Sequence, residues 1–455
     1  MLVVMGALAM ALQAGQPAHS IDTVKVAAAM AAEMQRTRAP GAAIGIVVDG
    51  KIVFAKGFGS LSAERNDMVD AGTLFRIGSV TKVLTALAAL RSEQTGSVSL
   101  GEAIGTYFPA LHASLRPLTL RQLLTHKAGM IALPSAHGPG DEEALARRVA
   151  AWTDTVLFAK PDEVYSYSSP GYWLVGAVIE QAEREKYSAL VQRYVFQPFG
   201  MTTSTFDPLV ALTRPLALDH RRNAQGAPIV VRPYPNDAST WPGGSAFSSI
   251  NDLARLATAL LDGGRLDDQQ ALPAAIVKAV MTKQTDNPAS PCGYTFGLGF
   301  CAAGRDTIIS HYGFRSGSGA VFTLVPTRRA AVIILANGAG AIFGQTERVV
   351  LDLLGVTREP SERPTLRDIA RKDFAKFSGT YVAGSDTLKI AEMDAKLVLQ
   401  AGGESQPLRM GDARELFPVD QQGNPIARFV LVQSALGNAF LSDGLNAFRK
   451  VSAVR

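Results

Sequence analysis

The sequence predicts a mixed α/β protein of the α+β kind: an antiparallel sheet flanked by helices, with a helical insertion, followed by a small C-terminal β-barrel or sandwich. Three observations carry this. Two strand pairs with hairpin signals lie far apart, over residues 42–56 and 319–336, and the segments between them follow helical spacing. After residue 371 the pattern changes to short alternating runs parted by turn residues. A chain of 455 residues also exceeds what one hydrophobic core usually serves, so two domains are expected.

In chain order, Leu2–Leu12 is an apolar run followed by Gln, Gly and Pro. It is too short to span a bilayer and suits the apolar core of an export signal, so residues 1–19 read as a signal segment of a periplasmic or secreted protein. Two features run against that reading: no Lys or Arg precedes the run, and no cleavage site with small residues at both key positions follows. No other apolar stretch reaches membrane-spanning length, so no span is expected in the mature chain. Val24 to Arg36 is helix-like. Ala42 to Lys56 reads as two strands joined at Asp49-Gly50, a pair that favours the positive φ angles of a tight hairpin turn. Helical patterns follow over Ser79 to Ser92, Leu118 to Leu124, Tyr172 to Arg184 and Ile250 to Leu261, the last opened by Ser249-Ile-Asn-Asp252, which has the form of a capping box. The second hairpin joins Gly319–Val325 to Ala330–Ala336. A charged stretch with Pro360 and Pro364 reads as a linker, 358–371, between a domain over 20–357 and another over 372–455. Strands in the latter are expected at Gly379–Val382, Thr387–Ile390, Leu397–Gln400, Arg428–Val432 and Ala439–Leu441.

Composition excludes several function classes. Lys and Arg number 45 against 40 Asp and Glu, and no run of five basic residues occurs, so no nucleic-acid partner is expected. No Cys/His cluster has zinc spacing, and Gly-x-Gly-x-x-Gly and phosphate-loop patterns are missing, so neither metal nor cofactor is expected. Cys292 and Cys301 flank a strand-like run, Tyr294 to Phe300. If that run is extended the thiols lie about 30 Å apart, which predicts two unpaired cysteines.

Ser79-Val-Thr-Lys82 is the sole Ser-x-x-Lys of the chain. Val80, Val83, Leu84, Leu87 and Leu90 follow it at helical spacing, so Ser79 and Lys82 share one face of the first turn of a buried helix. A serine hydroxyl needs a neighbouring base to become a nucleophile, and a lysine stripped of water loses pKa toward the working range. Taken alone, the pair also fits a capping serine beside a solvated lysine.

Phe75-Arg-Ile-Gly-Ser-Val-Thr-Lys82 resembles the nucleophile segment of the class C β-lactamase and D-Ala-D-Ala carboxypeptidase-like serine hydrolases. Further segments are similar in the same order: Leu118–Gly129, Pro161–Tyr172, Pro198–Thr203, Gly243–Ser249 and His311-Tyr-Gly313. The resemblance spans about residues 25–350 and implies the serine β-lactamase/penicillin-binding-protein fold. It implies Ser79 as nucleophile of an acyl-enzyme, with Lys82 and Tyr167 handling its proton in either order. It aligns Tyr167-Ser-Ser169 with the family's Tyr-x-Asn, so serine stands where the family has asparagine. It places His311 and Gly313 in the family's third motif, with His311 offering the substrate a hydrogen bond or partial positive charge. It makes the backbone N–H groups of Ser79 and Phe314 the oxyanion hole. His126 lies in a segment that resembles a structural turn, and no Gly-x-Ser-x-Gly elbow competes.

Losing the asparagine donor at Ser169 relaxes discrimination, so small esters or amides, including D-amino-acid peptides, are the expected substrates. β-Lactam hydrolysis and non-turnover binding of acyl-D-Ala-like ligands are the alternatives. The C-terminal barrel resembles an accessory domain that covers the active site of its own or a neighbouring subunit, or serves as a passive packing module.

Overall fold

The computed structural model describes residues 21–133, 137–315, 317–357 and 364–451. The segment read as an export signal lies outside them, as do residues 358–363 of the expected linker. Among the described residues no helix is long and apolar enough to cross a membrane.

The two hairpins meet in one eight-stranded antiparallel sheet. Its spatial order is Gly293–Tyr294, Gly299–Ala303, Asp306–Arg315, Ser318–Val325, Ala330–Ala336, Gly41–Val48, Lys51–Ser62 and Arg65–Met68. The first strand of the chain therefore pairs with one almost 300 residues later, Ile44 opposite Ile334. Both are buried along their whole length, because helices cover both faces. Alternation along Gly41–Val48 divides its side chains between two cores. Ala42, Ile44, Ile46 and Val48 pack with Val26, Met30, Val350 and Leu351. Ala43 and Val47 pack with Leu253, Ala257 and Ile333. The expected turn forms at Asp49 (φ 49°) and Gly50 (φ 75°), both left-handed as a tight hairpin requires.

The helical insertion matches its expected pattern with one difference of detail. The helix Ile250–Leu261 starts where Ser249 accepts from the backbone N–H of Asp252. The Asp252 carboxylate does not reach back to complete a capping box; it accepts from the N–H and hydroxyl of Thr203 and from Ser204. The helix Thr81–Gln94 is buried on nearly every side, which explains its apolar residues all round.

The C-terminal strands close into an eight-stranded barrel, settling the choice between barrel and sandwich. Tyr381, Ile390, Leu399, Leu416, Leu431 and Leu441 fill it. Three strands escaped sequence reading: Glu404–Met410, Glu415–Pro418 and Ala447–Val451. They carry few apolar residues in period two, and closure supplies the pairing that leaves no free edge.

The cysteines overturn their expectation. Cys292 and Cys301 form a disulfide, with Cα atoms 4.4 Å apart. The run between them is not one strand: Gly297 at φ 91° turns the chain, and Gly293–Tyr294 folds back on Gly299–Ala303 with Gly293 opposite Phe300. Glycines at 297 and 299 inside a strand-like run were the signal of that bend. A cross-link between cysteines nine residues apart constrains the unfolded chain modestly. A Cys292→Ser, Cys301→Ser double variant should therefore lose about 2–3 kcal/mol of stability in guanidinium unfolding.

Candidate active site

Two glycines bring the Ser79 turn and the strand Asp306–Arg315 backbone to backbone. Gly78 sits at φ 53°. A Cβ on Gly78 would stand 2.5 Å from the Phe314 nitrogen, and one on Gly313 would stand 1.9 Å from the Ile77 carbonyl oxygen. Ser79 is the middle residue of the turn Gly78–Val80 that leads into the helix Thr81–Gln94, and Lys82, one turn on, is wholly buried.

Lys82 Nζ has three close oxygens: the Gly243 carbonyl at 2.6 Å, Ser169 Oγ at 3.0 Å and Ser79 Oγ at 3.3 Å. None is a carboxylate. Burial, with the Arg315 cation adding to it, holds the amine well below the usual lysine range. The Tyr167 hydroxyl neighbours those of Ser79 and Ser169, and Lys82 Nζ lies 4.8 Å from its ring centre. Burial pushes the phenol well above its ordinary value, and those two hydroxyls offset only part of that.

Tyr167 is held from three directions. Its own N–H donates to the carbonyl of Leu445 in the barrel at 2.7 Å. Ser168 caps the helix Ser169–Glu183, accepting from Gly171 N, and its N–H donates to Nδ1 of buried His126 at 3.0 Å. The His126 ring lies 4.4 Å from the Tyr167 ring, among Tyr165, Tyr172 and Tyr294.

His311 has both ring nitrogens engaged. Nδ1–H donates to the Tyr312 carbonyl at 2.7 Å and Nε2 accepts from the Tyr294 hydroxyl at 3.1 Å, since a carbonyl can only accept. Burial, followed by the nearby Lys82, pushes its pKa down to about 3, so the imidazole is neutral.

Ser79, Tyr167, His311 and Phe314 all line one cavity of about 410 Å³. Its wall is completed by the hairpin carrying the disulfide and Tyr294, by Asn287 and Ser290, and by Gly444 and Leu445 of the barrel. Among the described residues no Lys, Arg, Asp or Glu lines it. Ser169 is absent from the lining; its hydroxyl is engaged with Lys82 and Tyr167. A larger groove, about 750 Å³, lies around Phe206 and Trp241 and includes no residue that the sequence singled out.

Residues 26–356 match the family model described as Beta-lactamase. The chain belongs to the β-lactamase family. This β-lactamase-family chain is 26% identical over 362 residues to penicillin-binding protein 4 of Amycolatopsis lactamdurans, covering 75% of this chain and 93% of the relative. It is 24% identical over 326 residues to protein flp of Staphylococcus aureus (strain MW2), covering 67% of this chain and spanning 61% of that relative's length. Among solved structures, SurE superposes with a TM-score of 0.76 at 23% identity, covering 94% of this chain and 99% of that one. A structure of SurE with D-Leu gives 0.75 at 22%, with the same coverage. That coverage takes in the barrel as well as the β-lactamase-family region. The membership makes the chain one of a family of serine hydrolases.

Several groups around the site were given no role by the sequence, although Gly243 opens one of the family-like segments. Gly243 contributes only a carbonyl, and Asn287 and Leu445 come from a loop and a barrel turn. Arg315, pressed to about 10 chiefly by burial, lies beneath the site, bonded to the Gly244 carbonyl and Thr240. Its position next to Phe314 was the one available hint.

Proposed function

We propose that the chain is a serine hydrolase that forms an acyl-enzyme on Ser79 and acts on uncharged esters or small amides. The observation that carries this is the convergence of Ser79, Lys82 and Tyr167 at a cavity whose lining, among the described residues, holds no charged side chain. A neutral amine has two N–H groups and one lone pair. The Gly243 carbonyl takes one N–H and Ser169 Oγ the other, which leaves the lone pair for the Ser79 hydroxyl proton. Depressed Lys82 and raised Tyr167 favour the amine over the phenolate as base.

In this reading Ser79 Oγ bonds the substrate carbonyl carbon while its proton passes to Lys82. The N–H groups of Ser79 and Phe314 receive the oxyanion, in a place where each donor supplies a few kcal/mol, about 2.7–4. Tyr167 then hands a proton to the leaving group and is re-protonated from Lys82. Water attacks the acyl-enzyme by the same route in reverse. Gly313 lets the strand lie against the Ile77 carbonyl beside the Ser79 turn, and His311 positions Tyr294 against that strand.

A buried carboxylate or ammonium on the substrate needs a paired charge, and the lining offers none. A panel of p-nitrophenyl esters, D-amino-acid anilides and nitrocefin, run on the wild type and Ser79→Ala, tests the substrate class. Neutral esters should be turned over, and an ester carrying a free carboxylate in its acyl part should be about 100-fold slower or worse. The D-Leu in one SurE structure supports a second reading, amides of D-amino acids, which the anilides test. Nitrocefin turnover would instead point to β-lactam hydrolysis, and a single burst without turnover to a binder.

Tyr167→Phe should lower kcat by at least about 100-fold with KM little changed, as loss of a general acid–base group does. Near-normal turnover would remove Tyr167 from the chemistry.

We further propose residues 20–357 as the hydrolase domain, 358–371 as connector and 372–455 as the barrel domain. We read the chain as exported on the strength of residues 1–19, and a formed disulfide suits an oxidising compartment.

A further inference from the structure

The barrel reaches the cavity through a single turn, Asp443 to Asn446, between the strands Ala439–Ser442 and Ala447–Val451. The turn braces itself: Asp443 Oδ1 accepts from the N–H groups of Leu445 at 2.8 Å and Asn446 at 2.7 Å. It is also clamped to the hydrolase region at three points. Tyr167 N–H donates to the Leu445 carbonyl at 2.7 Å, Asn287 Nδ2 to the Gly444 carbonyl at 2.6 Å, and Ala447 N–H to Ser166 Oγ at 3.2 Å.

Every one of these bonds holds main chain of the turn, and none engages the Leu445 side chain. That side chain is 59% exposed, in the wall of the cavity that Ser79 lines. A leucine held in place with its apolar surface open to a cavity gains free energy when an apolar group covers it. The acyl group stays on Ser79 through both half-reactions, so a fixed wall discriminates best on the acyl group.

We propose that Leu445 is a specificity-determining residue through which the barrel selects the size and apolar character of the acyl group. This rests on the reading of Ser79 as nucleophile. It makes the barrel turn part of the substrate site of its own chain.

The test uses alkyl fluorophosphonates of short and long chain on the full-length protein. In that step the Ser79 Oγ–P bond forms, the P–F bond breaks, fluoride leaves and the serine proton passes to Lys82. The quantity read is the ratio of labelling rate constants, long chain to short. Leu445→Ala should raise that ratio by about 10-fold and Leu445→Trp should lower it by a similar factor, the range one or two methylenes command in an apolar pocket. Asn287→Ala, which frees the turn at Gly444, should bring the ratio closer to one. Ratios within about twofold of wild type in both Leu445 variants would overturn the role of Leu445 while leaving Ser79 as nucleophile. An absence of labelling in the wild type would overturn the nucleophile assignment and this inference with it. Since Leu445 is exposed, its variants should keep the wild-type melting temperature, which separates a changed wall from a misfolded one.

Discussion

Replacing Ser79 by alanine is expected to lower kcat/KM on any turned-over ester by about 10⁴-fold or more, since loss of a nucleophile in a coupled group removes nearly all covalent catalysis. The side chain is small and partly exposed, so the fold should persist and melting should shift little. What remains of the rate is whatever the oxyanion donors and binding supply without a covalent step. The check is double: fluorophosphonate labelling must vanish together with turnover. Turnover surviving at more than about a hundredth of the wild-type rate would move the chemistry away from this serine.

Lys82→Met should cost about 10³-fold in kcat and at the same time make the protein more stable. The second effect follows from linkage. Lys82 in the folded chain has a pKa well below 10.5, so between its folded and unfolded values the unfolded chain binds the extra proton. Stability from this group therefore rises with pH up to the unfolded lysine value, and at neutral pH the buried amine is a net cost. Methionine fills the same space without that cost, so its melting temperature should exceed the wild type's near pH 7, with the gap closing toward pH 10. Catalysis has the same sign. The base must be unprotonated, so kcat/KM should rise as pH increases through the depressed value, and the acid limb should lie well below the ordinary lysine range. An acid limb near pH 10 would show that Lys82 is a normal, solvated lysine. A melting temperature lowered by Lys82→Met would say that the amine is charged and paired in the folded state.

Much of this architecture was legible because its signals are local. Asp49-Gly50 carries its turn angles in its own backbone preferences, and Ile250–Leu261 carries its apolar face at helical spacing. The polar strands of the barrel were not legible, because their pairing comes from closing the ring and not from their own side chains. The cysteines failed for a related reason. A run of β-forming residues was read as straight, whereas one glycine with positive φ doubled it back and set Cys292 beside Cys301.

The site divides in the same way. Ser79 and Lys82 stand one helical turn apart, so their proximity was already contained in the spacing of the chain, and Tyr167, Ser169, His311, Gly313 and Phe314 were named by motif order. Their states were not. That Lys82 meets no carboxylate, that His311 is neutral with both nitrogens engaged, and that Ser169 answers to Lys82 depend on groups dozens to hundreds of residues away. So does the barrel turn against Tyr167. The sequence by itself determined which reactive groups exist and how neighbours along one helix or hairpin face each other. Only the tertiary structure decided which of them are dry, which are paired, and which wall the substrate meets. Solvation and charge pairing act through space, and burial is a property of the packed whole.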